Sequence, residues 1–181
     1  MKMEGNLEIE HLAKFVQKFS ETQCDFLCEN CIVALESNSH STGCKIEVTG
    51  DSSKSFTLIW KKKVNKTGYK EQKKFIEHGA ETIAFMLTPQ LTEFSVIEEA
   101  TIGTGFDYWL GYDESHENYN PKNFMQARLE ISGINSETSI NTVEKRVKEK
   151  KKQTNKTAHL KLPAYVSVTE FASPKTYFGK K

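Results

Sequence analysis

No run of about 18 apolar residues occurs anywhere in the chain, so no membrane-spanning helix is expected. The start, Met1-Lys2-Met3-Glu4-Gly5, has none of the apolar h-region that a secretory signal needs, and a soluble, cytoplasmic chain without a membrane partner is the expectation. Charge of one sign is also lacking. The formal net charge is +1, which excludes attraction of the whole molecule to nucleic acid and leaves any such preference to a local patch. Arginine is scarce, with Arg128 and Arg146 the only two among many lysines; that bias is read as coding composition and not as a partner signal. There is no Gly-rich phosphate loop, HExxH motif or Ser-His-Asp order, and Gly103-Thr104-Gly105 precedes a strand instead of a helix, which is wrong for a phosphate cradle.

Cysteine is confined to the first quarter of the chain, as Cys24, Cys28, Cys31 and Cys44. Without an export signal these are expected to be reduced thiols and not disulfides. Cys24-x3-Cys28-x2-Cys31 with His40 and Cys44 offers enough soft ligands for a tetrahedral structural zinc, although the spacing is not a pair of CxxC knuckles. The competing reading makes Cys31 and Cys44 small core residues at the ends of apolar strands.

What is present is ample apolar material. A hydrophobic fraction of 37% with eleven Phe and six Tyr in 181 residues supports a packed interior. Leu7, Leu12, Phe15, Val16 and Phe19 recur at roughly helical spacing and predict an amphipathic helix over 7–20. Three strands are then expected over 31–64, as Cys31-Ile32-Val33-Ala34-Leu35, Cys44-Lys45-Ile46-Glu47-Val48 and Phe56-Thr57-Leu58-Ile59-Trp60, with turn-rich connections suited to an antiparallel meander. The lysine-rich stretch 61–70 divides an N-terminal unit, 1–68, from a second unit, 69–181, and the two are expected to pack together.

The second unit opens with a helix whose stripe is Phe75, Ile76, Ala80, Ile83, Ala84 and Leu87, ended by Pro89. Strands are expected at 94–97, 105–110 and 127–132, then a charged helix over about 138–153 with Ile140, Val143 and Val147 as its apolar stripe, then a strand at 164–169. The class is α/β.

Alternation along a strand puts Asp107 and Trp109 on one face, and Arg128, Glu130 and Ser132 on one face of the next strand. If those strands are antiparallel neighbours, Asp107 and Glu130 sit side by side, with carboxylate oxygens roughly 4–6 Å apart around a shared charge. Such hard oxygen ligands suit Mg²⁺ or Mn²⁺. The structural alternatives are that Asp107 bonds backbone amides of the Gly103–Gly105 bend and that Glu130 pairs with Arg128 or a lysine.

This arrangement over residues 72–171 resembles the PD-(D/E)XK nuclease superfamily. That superfamily's core runs helix, three strands, helix, strand, with an acidic residue in the second strand and Glu-x-Lys in the third. Asp107 matches the first acidic position, Glu130 the second, and Glu81 the further acidic residue that many members carry on the first helix. Ser132 stands where the superfamily has lysine. The resemblance implies a catalytic set of Asp107, Glu130, Ser132 and Glu81, with Asp107 and Glu130 as Mg²⁺ or Mn²⁺ ligands. Because Ser132 brings no positive charge, it further implies a nuclease-like accessory or scaffold subunit with little cleavage of its own. Such a subunit would act beside a larger partner, such as a defence ATPase or nuclease, in a prokaryotic antiphage system. The alternative is an active metal-dependent DNA or RNA nuclease in which Arg128, Lys145 or Lys148 replaces the missing lysine.

The run Lys145-Arg146-Val147-Lys148-Glu149-Lys150-Lys151-Lys152 carries six cations against one anion in eight residues. It reads either as a solvated helix face or as a phosphate-backbone contact for DNA or RNA, with Arg128, Lys145, Lys148, Lys151 and Lys152 as candidate contacts.

Overall fold

Ser20 begins the first long helix, and its sequence context explains why. In Ser20-Glu21-Thr22-Gln23 the Ser20 hydroxyl accepts from the Gln23 backbone N–H while the Gln23 side chain accepts from the Ser20 N–H, a reciprocal cap for two otherwise unpaired donors. The resulting helix α1, Glu21–Ser37, contains Cys31–Leu35. The strand expected at 31–35 is therefore helical, and the meander has two strands, β2 (Cys44–Gly50) and β3 (Lys54–Ile59). Its run of five apolar residues is buried all round, because one side of α1 meets the sheet and the other meets the next helix; that removes the one-sided pattern by which a surface helix is recognised.

The computed structural model describes residues 4–181. The helix expected at 7–20 is replaced by strand β1, Glu4–Glu8, and a 3₁₀ segment, Ile9–Lys14. Leu7 pairs with Leu58 of β3, and Ile9 and Leu12 enter the core from the 3₁₀ segment. The same apolar spacing is thus satisfied by a strand followed by a tight turn.

Helix α2, Gln72–Leu91, carries Pro89 in its last turn, and strands β4 (Ser95–Glu99), β5 (Tyr108–Gly111) and β6 (Ala127–Ile134) follow. Helix α3 spans Val143–Gln153, shorter than expected at its start, and leaves Ile140 exposed before the Thr142 cap. Strand β7, Ala164–Glu170, runs parallel to β6, and β8, Lys175–Lys180, returns antiparallel to β7. No strand was expected after residue 169.

Among the described residues the eight strands form one mixed sheet in the order β1-β3-β2-β8-β7-β6-β5-β4. The N-terminal and C-terminal segments therefore share a single sheet, joined where β8 pairs with β2. Helices α1 and α2 cover one face and α3 the other, a three-layer α/β/α arrangement. On β6 the alternation is strict. Leu129 and Ile131 join the large core beneath α2, while Arg128, Glu130 and Ser132 face α3. Gly133 lies where α2 crosses closest: a Cβ there would stand 2.5 Å from the Ile76 carbonyl oxygen, so only glycine lets helix and strand approach so tightly. No helix among the described residues is long and apolar enough to cross a membrane.

Candidate active site

Strand β5 pairs with β6 only from Tyr108 to Leu110. Asp107 therefore lies just before the strand, at the point where the β4–β5 loop leaves the sheet, and not within a strand beginning at 105. Its backbone N–H still bonds the Leu129 carbonyl, and its carboxylate accepts from the Ile131 N–H at 2.7 Å. The side chain thus occupies the ladder position that β5 vacates. Gly105, at φ +81, keeps the loop against the end of α3, where a Cβ would stand 2.5 Å from the Gln153 carbonyl oxygen.

Glu130, 2% exposed, extends from β6 toward the Asp107 carboxyl group, and the two acids influence each other's protonation. Burial pushes the Glu130 carboxyl up to about 7, the Asp107 charge adds to that, and the bond from Lys150 opposes it. Burial also raises Asp107, against the lowering effect of the Ile131 N–H and the Lys150 charge. Two buried acids facing one another share a proton more readily than they carry two charges, and both carboxyls are raised accordingly.

Lys150 approaches from the facing side of α3, its Nζ donating to Glu130 Oε1 at 2.5 Å. Four residues earlier on the same helix, Arg146 donates from Nη1 to Ser132 Oγ at 2.9 Å and from Nη2 to Asn141 Oδ1 at 2.9 Å. Both positions beside β6 that lack a charge of their own are thereby faced by cations. Neither residue stood among the expected rescuers. The signal was nonetheless in the sequence: Val143, Val147, Lys150 and Thr154 follow helical spacing, so Lys150 lies on the stripe that α3 turns toward the sheet.

Glu81 comes from α2 on the other side of the cluster. It accepts from the Tyr108 hydroxyl at 3.0 Å and pairs with His78 Nδ1 at 2.9 Å, and that bond raises the His78 imidazole above its ordinary value. Two clefts open around these groups. One of about 450 Å³ is lined by Lys73, His78, Glu81, Asp107, Arg146 and Lys150; the other, of about 390 Å³, lies on the far side of Lys150 and includes Glu99, Glu130 and Lys156.

The other expected residues are dispersed. Arg128 is buried, donating to the Thr154 and Leu162 carbonyls and to Thr157 Oγ1. It fastens the segment after α3 to β6 and presents nothing to a phosphate. Lys145 bonds the Ser139 carbonyl, and Lys151 bonds the Lys180 carbonyl while standing 5.1 Å over the Tyr177 ring. Lys148 and Lys152 lie exposed on the outer face of α3.

Among the described residues no group of three or more His, Cys, Asp or Glu side chains converges as a metal cage. Cys24, Cys28 and Cys31 are buried on α1, and Cys44 begins β2. The Cys28 thiol donates to the Ile9 carbonyl at 2.8 Å and burial pushes it up to about 12, while His40 is held by the Phe171 and Ala172 carbonyls. Burial raises all four thiols above their ordinary value.

At the carboxylate pair Lys150 Nζ stands against Glu130, and two carboxylates are the number of protein ligands to be weighed for a hard cation. Mg²⁺ commonly takes one or two protein carboxylates and completes its shell with water and substrate phosphate, and Asp107 with Glu130 supplies that number. Comparison with known proteins finds no matching family model, curated protein or solved structure.

Proposed function

We propose that this chain is a metal-dependent nuclease of PD-(D/E)XK type in which Lys150 of α3 takes the part of the lysine absent at position 132. The single observation that carries this reading is the 2.5 Å contact between Lys150 Nζ and Glu130, beside Asp107. The order α2-β4-β5-β6-α3-β7 supports it, since it repeats the helix, three strands, helix, strand succession of that superfamily.

Asp107 and Glu130 would hold the cation, and the group so held supplies Lewis-acid polarisation of a phosphodiester and a bound water of lowered pKa. The chain's own residues do the rest. With a divalent cation held there Glu130 would be ionised, its proton passing to solvent, and Lys150 would be free to face the phosphate. There its ammonium faces the negative charge that grows as water attacks, a preorganised interaction strengthened by the low dielectric of a buried site. Arg146, held by Ser132 and Asn141, stands one helical turn away as a second phosphate contact. Asp107 stays fixed by the Ile131 N–H throughout.

The test is cleavage of single-stranded and duplex DNA and RNA with Mg²⁺ or Mn²⁺ by the parent chain, Asp107→Ala and Lys150→Met. The parent is expected to cut and Asp107→Ala to lose activity. Lys150→Met is expected to lose about 3–4 kcal/mol of transition-state stabilisation, a factor of several hundred in rate. Cutting by Lys150→Met at the parent rate would refute the assignment of the charge to Lys150.

A second reading is favoured by the same ion pair. Lys150 and a shared proton already neutralise the two acids without any metal, as a nuclease-like accessory subunit would require. Under that reading the parent chain binds nucleic acid or a larger partner protein and cuts nothing.

A further inference from the structure

A third cavity, of about 250 Å³, lies between α1 and α2 and shares Glu81 with both clefts of the carboxylate site. It is faced by Phe26, Gln23, Leu27, His78 and Tyr108. Phe26 is half exposed at 50%, on a helix whose next two residues, Leu27 and Cys28, are buried. Its ring meets His78 in an edge contact, with centroids 4.9 Å apart and planes at 66°, so part of the ring remains open to solvent. Burial of the protein's own core does not explain that placement.

The polar groups of this cavity suit a heteroaromatic edge. Gln23 uses its carbonyl oxygen to cap α1, and its amide NH₂ has no partner among the described residues; it is a donor held in place by the helix cap. Phe26 and His78 also form the wall of an adjoining cavity of about 230 Å³ that carries Lys70 and Lys74. An aromatic ridge thus has a pocket with Glu81 and Glu99 on one side, and Lys70 and Lys74 with a single acid, Glu71, on the other. Stacking surfaces interleaved with cations are how proteins track a single strand, because every base has a π-face and every phosphate a charge.

We infer that the Phe26–His78 pocket receives one unpaired nucleobase, so that the carboxylate site acts on a single strand or on an unpaired end. The inference rests on the nuclease reading for what happens at Asp107 and Glu130, but the pocket itself is a binding site. Its open side is formed by the half-exposed Phe26 ring, a stacking face for one base. A base stacked within a duplex cannot enter without leaving the helix, which is why the pocket selects strands already unpaired.

The experiment measures affinity in metal-free buffer for a short single-stranded oligonucleotide carrying a fluorescent base analogue and for its blunt duplex, each as DNA and RNA. The expected result is tighter binding of the single strand, weakened about tenfold by Phe26→Ala and retained by Phe26→Trp, with duplex affinity unchanged. Equal single-strand binding by the parent and a folded Phe26→Ala, preference for the duplex, or no binding of either probe would each overturn the pocket. Phe26-dependent binding without metal-dependent cleavage would leave the pocket standing and refute the nuclease reading alone. Asp107-dependent cleavage that is indifferent to Phe26, in both binding and rate, would do the reverse.

Discussion

At the scale of single residues, Glu130 is the group with most at stake. Its folded-state value of about 7 lies above the ordinary 4.5, so the folded protein holds this proton more tightly than the unfolded chain. The corresponding stabilisation is complete below about pH 4.5 and is lost as pH rises through 7. Asp107, also raised, acts in the same direction. We expect Glu130→Gln to flatten this pH dependence in urea unfolding measured from pH 5 to 8, and a variant that keeps the parent's slope would show that the proton is held elsewhere. Glu130 follows from alternation along β6, which requires only local backbone geometry, whereas Asp107 lies just before β5 and is placed by its bond from the Ile131 N–H. Their cation could not be read the same way: Lys150 and Glu130 are twenty residues apart and meet only because α3 crosses β6. Arg128 shows the converse. It shares a face with Glu130, as alternation requires, yet three hydrogen bonds to the segment after α3 enclose it.

At the scale of elements, α3 divides its cations between two tasks. Arg146 and Lys150 turn inward to β6, whereas Lys148 and Lys152 face solvent and Lys151 lies against Tyr177. If the outer row tracks phosphates, neutralising Lys148, Lys151 and Lys152 together should weaken DNA and RNA binding and reduce the slope of log K against log salt by about 2 to 3. An unchanged slope would return the row to plain solvation. Helix α1 shows how an element can be misread. Its start was written in Ser20 and Gln23, but the β-branched run at its middle suggested a strand, because complete burial erases helical periodicity. Helix α2 is also buried without a break over 82–88, but its first half keeps the stripe of Phe75, Ile76 and Ala80, so it was legible as a helix although it runs past Pro89 to Leu91.

For the whole molecule, β8 is the strand on which continuity depends. It lies between β2 and β7, so it alone connects β1-β3-β2 to the four strands that carry the site. Removing residues 172–181 should therefore unpair both neighbours and expose Ile46, Val48 and Val168. We expect loss of cooperative unfolding by circular dichroism and aggregation; a truncated chain with the parent's melting transition would show that the two halves are held by the helices instead. Sequence alone determined the α/β class, helix α2 and most strands of the second half. Each of these depends on periodicity or turn chemistry within a few residues. The central place of β8, the single sheet joining both halves, the helical state of 31–35 and the arrival of Lys150, Arg146 and His78 at the acids were decided only by tertiary structure. They depend on which distant segments pack together, and that outcome is a property of the whole core and of no local stretch of chain.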